Sequence, residues 1–129
     1  MAIQGLEGKN ILLDAFADEA VSNRAKMDLY SAFPVLEALG LQYWTPRFGF
    51  NPYSSNVENL NTTTDMRWLS EVKQRAEDHG LSVISMGAPL LKCWSVEVPD
   101  YKGKIPYVSS TDIVDQTKRV IENAKRFGA

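Results

Sequence analysis

The chain has 129 residues, of which 44% are hydrophobic and 23% charged, and this composition excludes the disordered and fibrous classes of protein. Fourteen basic and sixteen acidic side chains give a formal net charge of −2, so we expect no nucleic-acid partner. The single cysteine, Cys93, excludes an internal disulfide, and no apolar run reaches signal-peptide or membrane-spanning length. We therefore expect a folded cytoplasmic protein with no membrane partner.

Three short apolar segments predict β-strands. They cover residues 11–16, 41–45 and 81–86, and each has strand length, with aromatic or β-branched residues among its apolar positions. The second and third segments begin directly after Gly40 and Gly80. A glycine that ends a helix and is followed at once by an apolar run indicates a helix-to-strand connection.

Apolar stripes with helical spacing predict three helices, which alternate with the strands. Each ends at a glycine, Gly40, Gly80 or Gly128, which can adopt the left-handed cap conformation without a steric penalty from Cβ. Pro34 predicts that the first helix starts near Ser31 or is kinked there. The stripes consist of Leu29, Phe33, Leu36 and Leu39, then Leu69, Val72 and Ala76, then Ile113, Thr117, Val120, Ile121, Ala124 and Phe127.

Strands that alternate with helices predict right-handed crossovers and a parallel sheet. The segments after the strands are long (17–23, 47–64 and 88–110), whereas the connections after the helices are close to one glycine. Long loops on the strand-end side favour a (β/α)8 TIM barrel over an open doubly wound sheet. We therefore predict an α/β chain in which residues 1–129 are a single N-terminal part of a TIM barrel, with its first three βα units and parallel strands.

A barrel of eight strands needs about 250 residues, so this interpretation implies a chain that stops before strand four. A parallel edge left open at that point would be prone to association. We expect self-association or a partner chain to cover it.

Segments that cover or directly follow the predicted strands resemble the sugar phosphate isomerase/epimerase family, the xylose-isomerase-like TIM barrels. The resemblance is carried by FADEA at 16–20, GLQYWTPR at 40–47 and GLSVISMGAPLLK at 80–92. It implies a sugar or sugar-phosphate substrate and a divalent cation, Mn or Mg, held by glutamate, aspartate and histidine side chains on later strands. We therefore expect no metal ligand in this chain, and no catalytic activity from the chain alone.

The resemblance and the positions at strand ends together predict a substrate-binding set, while catalytic residues stay unknown. Trp44 could stack on a sugar or pack in the core. Arg47 could bind a phosphate or form an ion pair with a buried acid. Gly87 could allow close approach of a ligand or simply make a turn. The predicted substrate-binding residues are Phe16, Asp18, Glu19, Trp44, Arg47, Gly87 and Lys92.

Two other functions compete with the isomerase hypothesis. A branch of the same superfamily hydrolyses phosphodiesters at abasic DNA sites, but the nearly neutral charge argues against contacts with a DNA backbone. A non-catalytic module that binds a carbohydrate or a partner chain is the alternative from another class. Asp18 and Glu19 do not separate these hypotheses, because adjacent carboxylates in a loop can move protons, cap a helix or remain solvated.

Overall fold

The fold is known from a computed structural model that describes residues 14–17, 28–87 and 110–129, with side chains in the last range from residue 113. It contains helices and a short antiparallel sheet. In chain order the described elements are α1 (Leu29–Ala38), β1 (Phe48–Asn51), β2 (Asn56–Asn59), α2 (Met66–Asp78) and α3 (Ser110–Phe127).

The start of α1 is fixed by an aspartate. The Asp28 carboxylate accepts hydrogen bonds from the Tyr30 backbone N–H at 3.1 Å and from the Ser31 hydroxyl at 2.7 Å. This satisfies one of the backbone donors that a helix start leaves unpaired. The helix therefore begins at Leu29 rather than near Ser31, and it continues through Pro34.

All three predicted glycine ends are confirmed. Gly40, Gly80 and Gly128 have φ values of 78°, 71° and 87°, a conformation that side-chain-bearing residues rarely adopt. At each end the residue after the glycine donates its N–H to the carbonyl five positions back, at 3.0–3.1 Å. This is the Schellman arrangement, which pairs the last carbonyls of a helix and turns the chain sharply.

The core lies between the helices and the segment that follows α1. The Trp44 ring packs edge-on against Phe33 of α1, with 4.9 Å between ring centroids, and against Phe127 of α3 at 5.8 Å. Among the described helices, none is both long and apolar enough to cross a membrane. The fully or nearly buried hydrophobic residues also include Leu29, Ala32, Leu36, Leu60, Trp68, Leu69, Val72, Ala76, Leu81 and Val83.

A β-hairpin occupies much of the segment 47–64, which the sequence predicts to be a loop. β1 and β2 pair antiparallel with Phe48 opposite Asn59. The buried Asn51 organises the turn, because its Oδ1 accepts from the Tyr53 N–H at 2.9 Å and its Nδ2 donates to Asp65 of the α2 cap at 3.1 Å. A Cβ on Gly49 would lie 2.7 Å from Leu29 Cγ, so the close packing of the hairpin on α1 requires glycine there.

The prediction of a partial TIM barrel with three parallel strands is wrong. The regular sheet among the described residues has two strands and is antiparallel. Among the described residues, the segments predicted as parallel strands form no regular strand: they meet in parallel orientation, but at isolated bridges, Phe16 with Thr45 and Tyr43 with Ser82. A physical reason is visible after Thr45, where Pro46 has no N–H to donate and therefore cannot extend a ladder. The chain then enters the hairpin instead.

Candidate functional site

Three polar side chains from separate segments converge beside the isolated bridges. The Thr45 hydroxyl donates to Asp14 Oδ2 at 2.5 Å and lies 3.0 Å from the Ser85 hydroxyl. Ser85 also donates to Asp14 Oδ2, at 3.2 Å. Thr45 is buried while Asp14 and Ser85 are exposed. The group therefore has a fixed inner member and two members that solvent or a ligand can reach.

Backbone hydrogen bonds hold the segments that carry this group. The Thr45 N–H donates to the Ala15 carbonyl at 2.9 Å, and the Trp44 N–H donates to the Ser82 carbonyl at 3.0 Å. Side chains alternate between the two sides of an extended backbone. Consequently Thr45 faces the polar group while its neighbour Trp44 faces the core.

Three residues of the predicted substrate-binding set lie next to this group. The Arg47 guanidinium carbon is 4.1 Å from the centroid of the Phe16 ring, which is 37% exposed. A Cβ on Gly87 would lie 3.3 Å from Phe16 Cε1 and 3.5 Å from Thr45 Cγ2. We call the whole surface the polar face, and it consists of Asp14, Phe16, Thr45, Arg47, Ser85 and Gly87.

The other predicted residues do not join the polar face. Trp44 is 1% exposed, and it packs between two phenylalanine rings, so its aromatic surface serves the core. Asp18, Glu19 and Lys92 lie outside the described residues.

Asp14, Thr45 and Ser85 were missed by the sequence analysis, although a signal for them exists. They lie two positions before Phe16, Arg47 and Gly87, respectively, which were predicted as substrate-binding residues. Residues two apart in an extended segment point to the same side. Once a strand-end residue is proposed as part of a site, its neighbour two positions earlier belongs to the same surface.

A turn after β2 forms hydrogen bonds with two residues of the polar face. The Leu60 N–H donates to the Arg47 carbonyl at 2.8 Å, and the Asn61 side-chain amide donates to the Gly87 carbonyl. The buried Asn123 of α3 holds this turn, because its Nδ2 lies 3.0–3.1 Å from the carbonyls of Leu60, Asn61 and Thr63. Both Arg47 and Gly87 are thus positioned by contacts with one turn.

A separate cluster joins the hairpin to α2. The Tyr53 hydroxyl donates to Glu71 at 2.7 Å, and the Arg67 guanidinium carbon lies 3.5 Å from the Tyr53 ring centroid. The hydrogen bond to Glu71, followed by desolvation, raises the pKa of Tyr53. Burial, reinforced by the same carboxylate, raises the pKa of Tyr30 well above its usual range. Both tyrosines therefore stay neutral at physiological pH, which suits a structural role.

A groove of about 350 Å³ between α2 and α3 shares no lining residue with the polar face. Its lining includes the buried apolar residues Leu69 and Phe127 and the charged residues Lys73, Glu77 and Arg126. Lys73 and Glu77 pair with each other at 3.7 Å. The groove offers no convergent group of reactive side chains, so the polar face is the better candidate site.

The described residues do not fit a metal centre. Across 14–17, 28–87 and 110–129 there is no group of three or more histidine, cysteine, aspartate or glutamate side chains that could hold an ion. Asp14 brings one carboxylate to the polar face, and its Oδ2 already accepts two hydrogen bonds. The hydroxyl, carboxylate and guanidinium groups present there suit recognition of a polar organic ligand better than coordination of a metal.

Comparison of the chain with family models, with curated proteins and with solved structures gave no significant match. The geometry of the polar face and the sequence resemblance are therefore the two grounds on which a function can be proposed.

Proposed function

We propose that the polar face binds a sugar or sugar phosphate, and that the chain supplies the substrate-binding wall of a metal-dependent sugar or sugar-phosphate isomerase or epimerase. The observation that carries the proposal is the convergence of Asp14, Thr45 and Ser85 from three segments onto one surface. The sequence resemblance at 16–20, 40–47 and 80–92 supports the choice of substrate class.

The chemistry of the polar face matches the chemistry of a sugar. A sugar hydroxyl both donates and accepts, and the face pairs an acceptor carboxylate with two hydroxyl groups that can do either. The partly exposed Phe16 ring offers an apolar surface for the C–H side of a sugar ring. The Arg47 guanidinium, stacked beside that ring, can add a charge-assisted hydrogen bond to a phosphate.

The role of this chain in the proposal is binding rather than catalysis. The resemblance implies Mn or Mg in the family, where the cation polarises a carbonyl and hydroxyl pair of the sugar. The described residues do not fit that ion, so we assign them no metal-dependent step. A cytoplasmic location, expected from the single cysteine, belongs to the same proposal.

The proposal is tested by titrating the 15N-labelled 129-residue chain with pentoses, hexoses and their phosphates. We expect saturable amide shifts at Thr45, Ser85 and Gly87, and tighter binding of a phosphorylated sugar than of its parent because of Arg47. Inorganic phosphate alone serves as the control for simple anion binding. Absence of saturable shifts with every sugar would contradict the proposal.

A matched pair of variants tests whether the sugar binds at the polar face or elsewhere on the surface. Asp14→Asn removes the carboxylate charge but keeps the shape, and we expect it to weaken sugar binding by about tenfold, the worth of a hydrogen bond to a charged group. Asp28→Asn makes the same change at an exposed aspartate that also accepts from a serine hydroxyl. Binding that fell equally in both variants would point away from the polar face.

A further inference from the structure

The solvent side of the β-hairpin carries a row of apolar side chains. Along β1, Gly49 and Asn51 are buried, whereas Phe48 is half-buried and Phe50 is 38% exposed, as expected from the alternation of a strand. Phe50 lies opposite Val57 of β2, which is 42% exposed. We call Phe48, Phe50 and Val57 the apolar strip.

Arg47 joins the apolar strip to the polar face. Its guanidinium carbon lies 4.1 Å from the centroid of the Phe16 ring and 5.8 Å from the centroid of the Phe48 ring. The backbone at this point is fixed, because the Arg47 carbonyl accepts from the Leu60 N–H at 2.8 Å. One cation is thus within stacking reach of an aromatic ring on each surface.

The order of chemical groups along this surface matches one kind of ligand. The hydroxyl and carboxylate groups of the polar face suit a sugar, and the Arg47 guanidinium suits a phosphate. A phosphate monoester would end at Arg47 and leave the apolar strip without a contact. A phosphodiester carries a second group, which would reach Phe48 and Phe50. Phenylalanine rings and a planar guanidinium both favour a flat aromatic group there.

The size of the apolar strip favours a small ligand over a protein partner. Three side chains are far fewer than the roughly 20–30 residues that each partner contributes to a stable protein interface. A single aromatic ring, in contrast, can be covered by one or two phenylalanine side chains.

We infer that the polar face and the apolar strip together bind a sugar that is joined through a phosphodiester to an aromatic ring, either a nucleotide base or a simpler aryl group. This inference rests on the proposed function, because it requires that the sugar occupies the polar face. It assigns to the hairpin the recognition of the half of the ligand beyond the phosphate.

The test compares phosphodiesters of the best-bound sugar by calorimetric titration of the 129-residue chain. The methyl and phenyl esters carry the same charge, and the chain should bind the phenyl ester about tenfold more tightly, the usual worth of one ring stacked on an aromatic side chain. The cyclohexyl ester, similar in size but not flat, should gain less. A nucleoside diphosphate sugar distinguishes the two sources of the ring: binding at least as tight as that of the phenyl ester identifies a nucleotide base, and weaker binding identifies a simpler aryl group.

Variants of the hairpin locate the preference for the phenyl ester. Phe50→Ala should abolish it and leave the affinity for the methyl ester unchanged. Tyr53→Ala is the matched control, because it removes a 45% exposed ring from the same hairpin that lies against Arg67 of α2, and it should keep the preference. Phe50→Leu retains an apolar side chain in β1 and should also lose most of the preference, so the test does not depend on the stability of the alanine variant.

Three results would overturn the inference and leave the proposed function intact. They are equal affinities of the wild-type chain for the methyl and phenyl esters, a cyclohexyl ester that binds as tightly as the phenyl ester, and a preference that survives in the Phe50 variants. If the wild-type chain bound no sugar compound at all, both the inference and the proposed function would fail.

Discussion

Trp44 and Thr45 are neighbours in the chain, yet they belong to regions with different physical roles. Trp44 is packed between Phe33 and Phe127 in the core, whereas Thr45 sits among the hydroxyl and carboxylate groups of the polar face. The alternation of an extended segment produces this separation. Apolar packing on one side should determine stability, and the polar groups on the other should determine ligand binding.

The largest expected loss of stability comes from truncating the core residue Trp44. Trp44→Ala removes a 1% exposed ring and its contacts with two aromatic side chains, so the free energy of unfolding should fall by about 3–5 kcal/mol. Urea unfolding followed by circular dichroism would measure it. Trp44→Phe is the control, and it should cost much less, because Trp44 Nε1 has no hydrogen-bond partner to lose among the described residues.

The second-largest expected loss of stability concerns Asn123 of α3, which connects the core to the turn that contacts the polar face. Asn123→Ala removes the donor that serves the carbonyls of Leu60, Asn61 and Thr63, and we expect a loss of about 1–3 kcal/mol because buried acceptors are left unpaired. Arg119→Ala, which breaks a 3.4 Å contact with the exposed side of the same turn, should stay within about 0.5 kcal/mol. Equal losses in the two variants would show that Asn123 does not hold the turn.

A smaller decrease in the free energy of unfolding, about 1 kcal/mol, is expected from Asp65→Ala, which removes the N-cap of α2. Hydrogen bonds from the Trp68 N–H, first, and the Asn51 amide, second, lower the pKa of Asp65. Its stabilisation is therefore complete above about pH 4, the pKa of aspartate in an unfolded chain, and is lost as pH falls through the lower folded value.

The measurement for Asp65 is the free energy of unfolding between neutral and acid pH. Asp65→Asn keeps an N-cap acceptor without a charge, so it should lose less stability and remove this residue's contribution to the pH dependence. A difference between wild type and Asp65→Ala that stayed constant as the pH was lowered would contradict the account.

The helices were predictable because local rules define them. The glycine ends at Gly40, Gly80 and Gly128 depend on backbone conformation within one turn, and the apolar stripes depend on helical spacing. The caps Asp28 and Asp65 were not identified from the sequence, although each directly precedes its helix. Cap geometry depends on which backbone donor a short side chain reaches, and sequence spacing alone leaves this open to within a residue.

The sheet was not predictable in the same way. The runs at 41–45 and 81–86 have the composition of strands, but a strand needs a partner over several residues, and Pro46 stops the pairing after Thr45. The hairpin lacks the usual signals, because β2 is Asn56-Val57-Glu58-Asn59 and the turn contains no Asn-Gly or Asp-Gly pair. Its stability comes from the buried Asn51 and from close packing at Gly49, which are tertiary features.

The candidate site was predictable only in part. Phe16, Arg47 and Gly87 were chosen for their chemistry at the ends of predicted strands, and they lie together. Trp44 was chosen for its aromatic ring, but the same property makes a residue suitable for the core, and only its register distinguishes the two uses. Asn61 follows β2 in a segment predicted to be a loop, so nothing in the sequence placed it next to Gly87.

The smallest stability effect and the most direct test of the central claim both belong to Thr45→Val. Among the residues that the structure describes, the Thr45 hydroxyl bonds to the exposed Asp14 and Ser85, whose polar groups water can satisfy, so we predict a loss of stability of about 1 kcal/mol or less. Calorimetric titration of the folded variant with the best-bound sugar or sugar phosphate should show binding at least about tenfold weaker than in wild type, because the buried Thr45 hydroxyl holds Asp14 and Ser85 in the positions from which they reach a ligand. Unchanged affinity in a fully folded Thr45→Val chain would contradict the assignment of the polar face as the binding site.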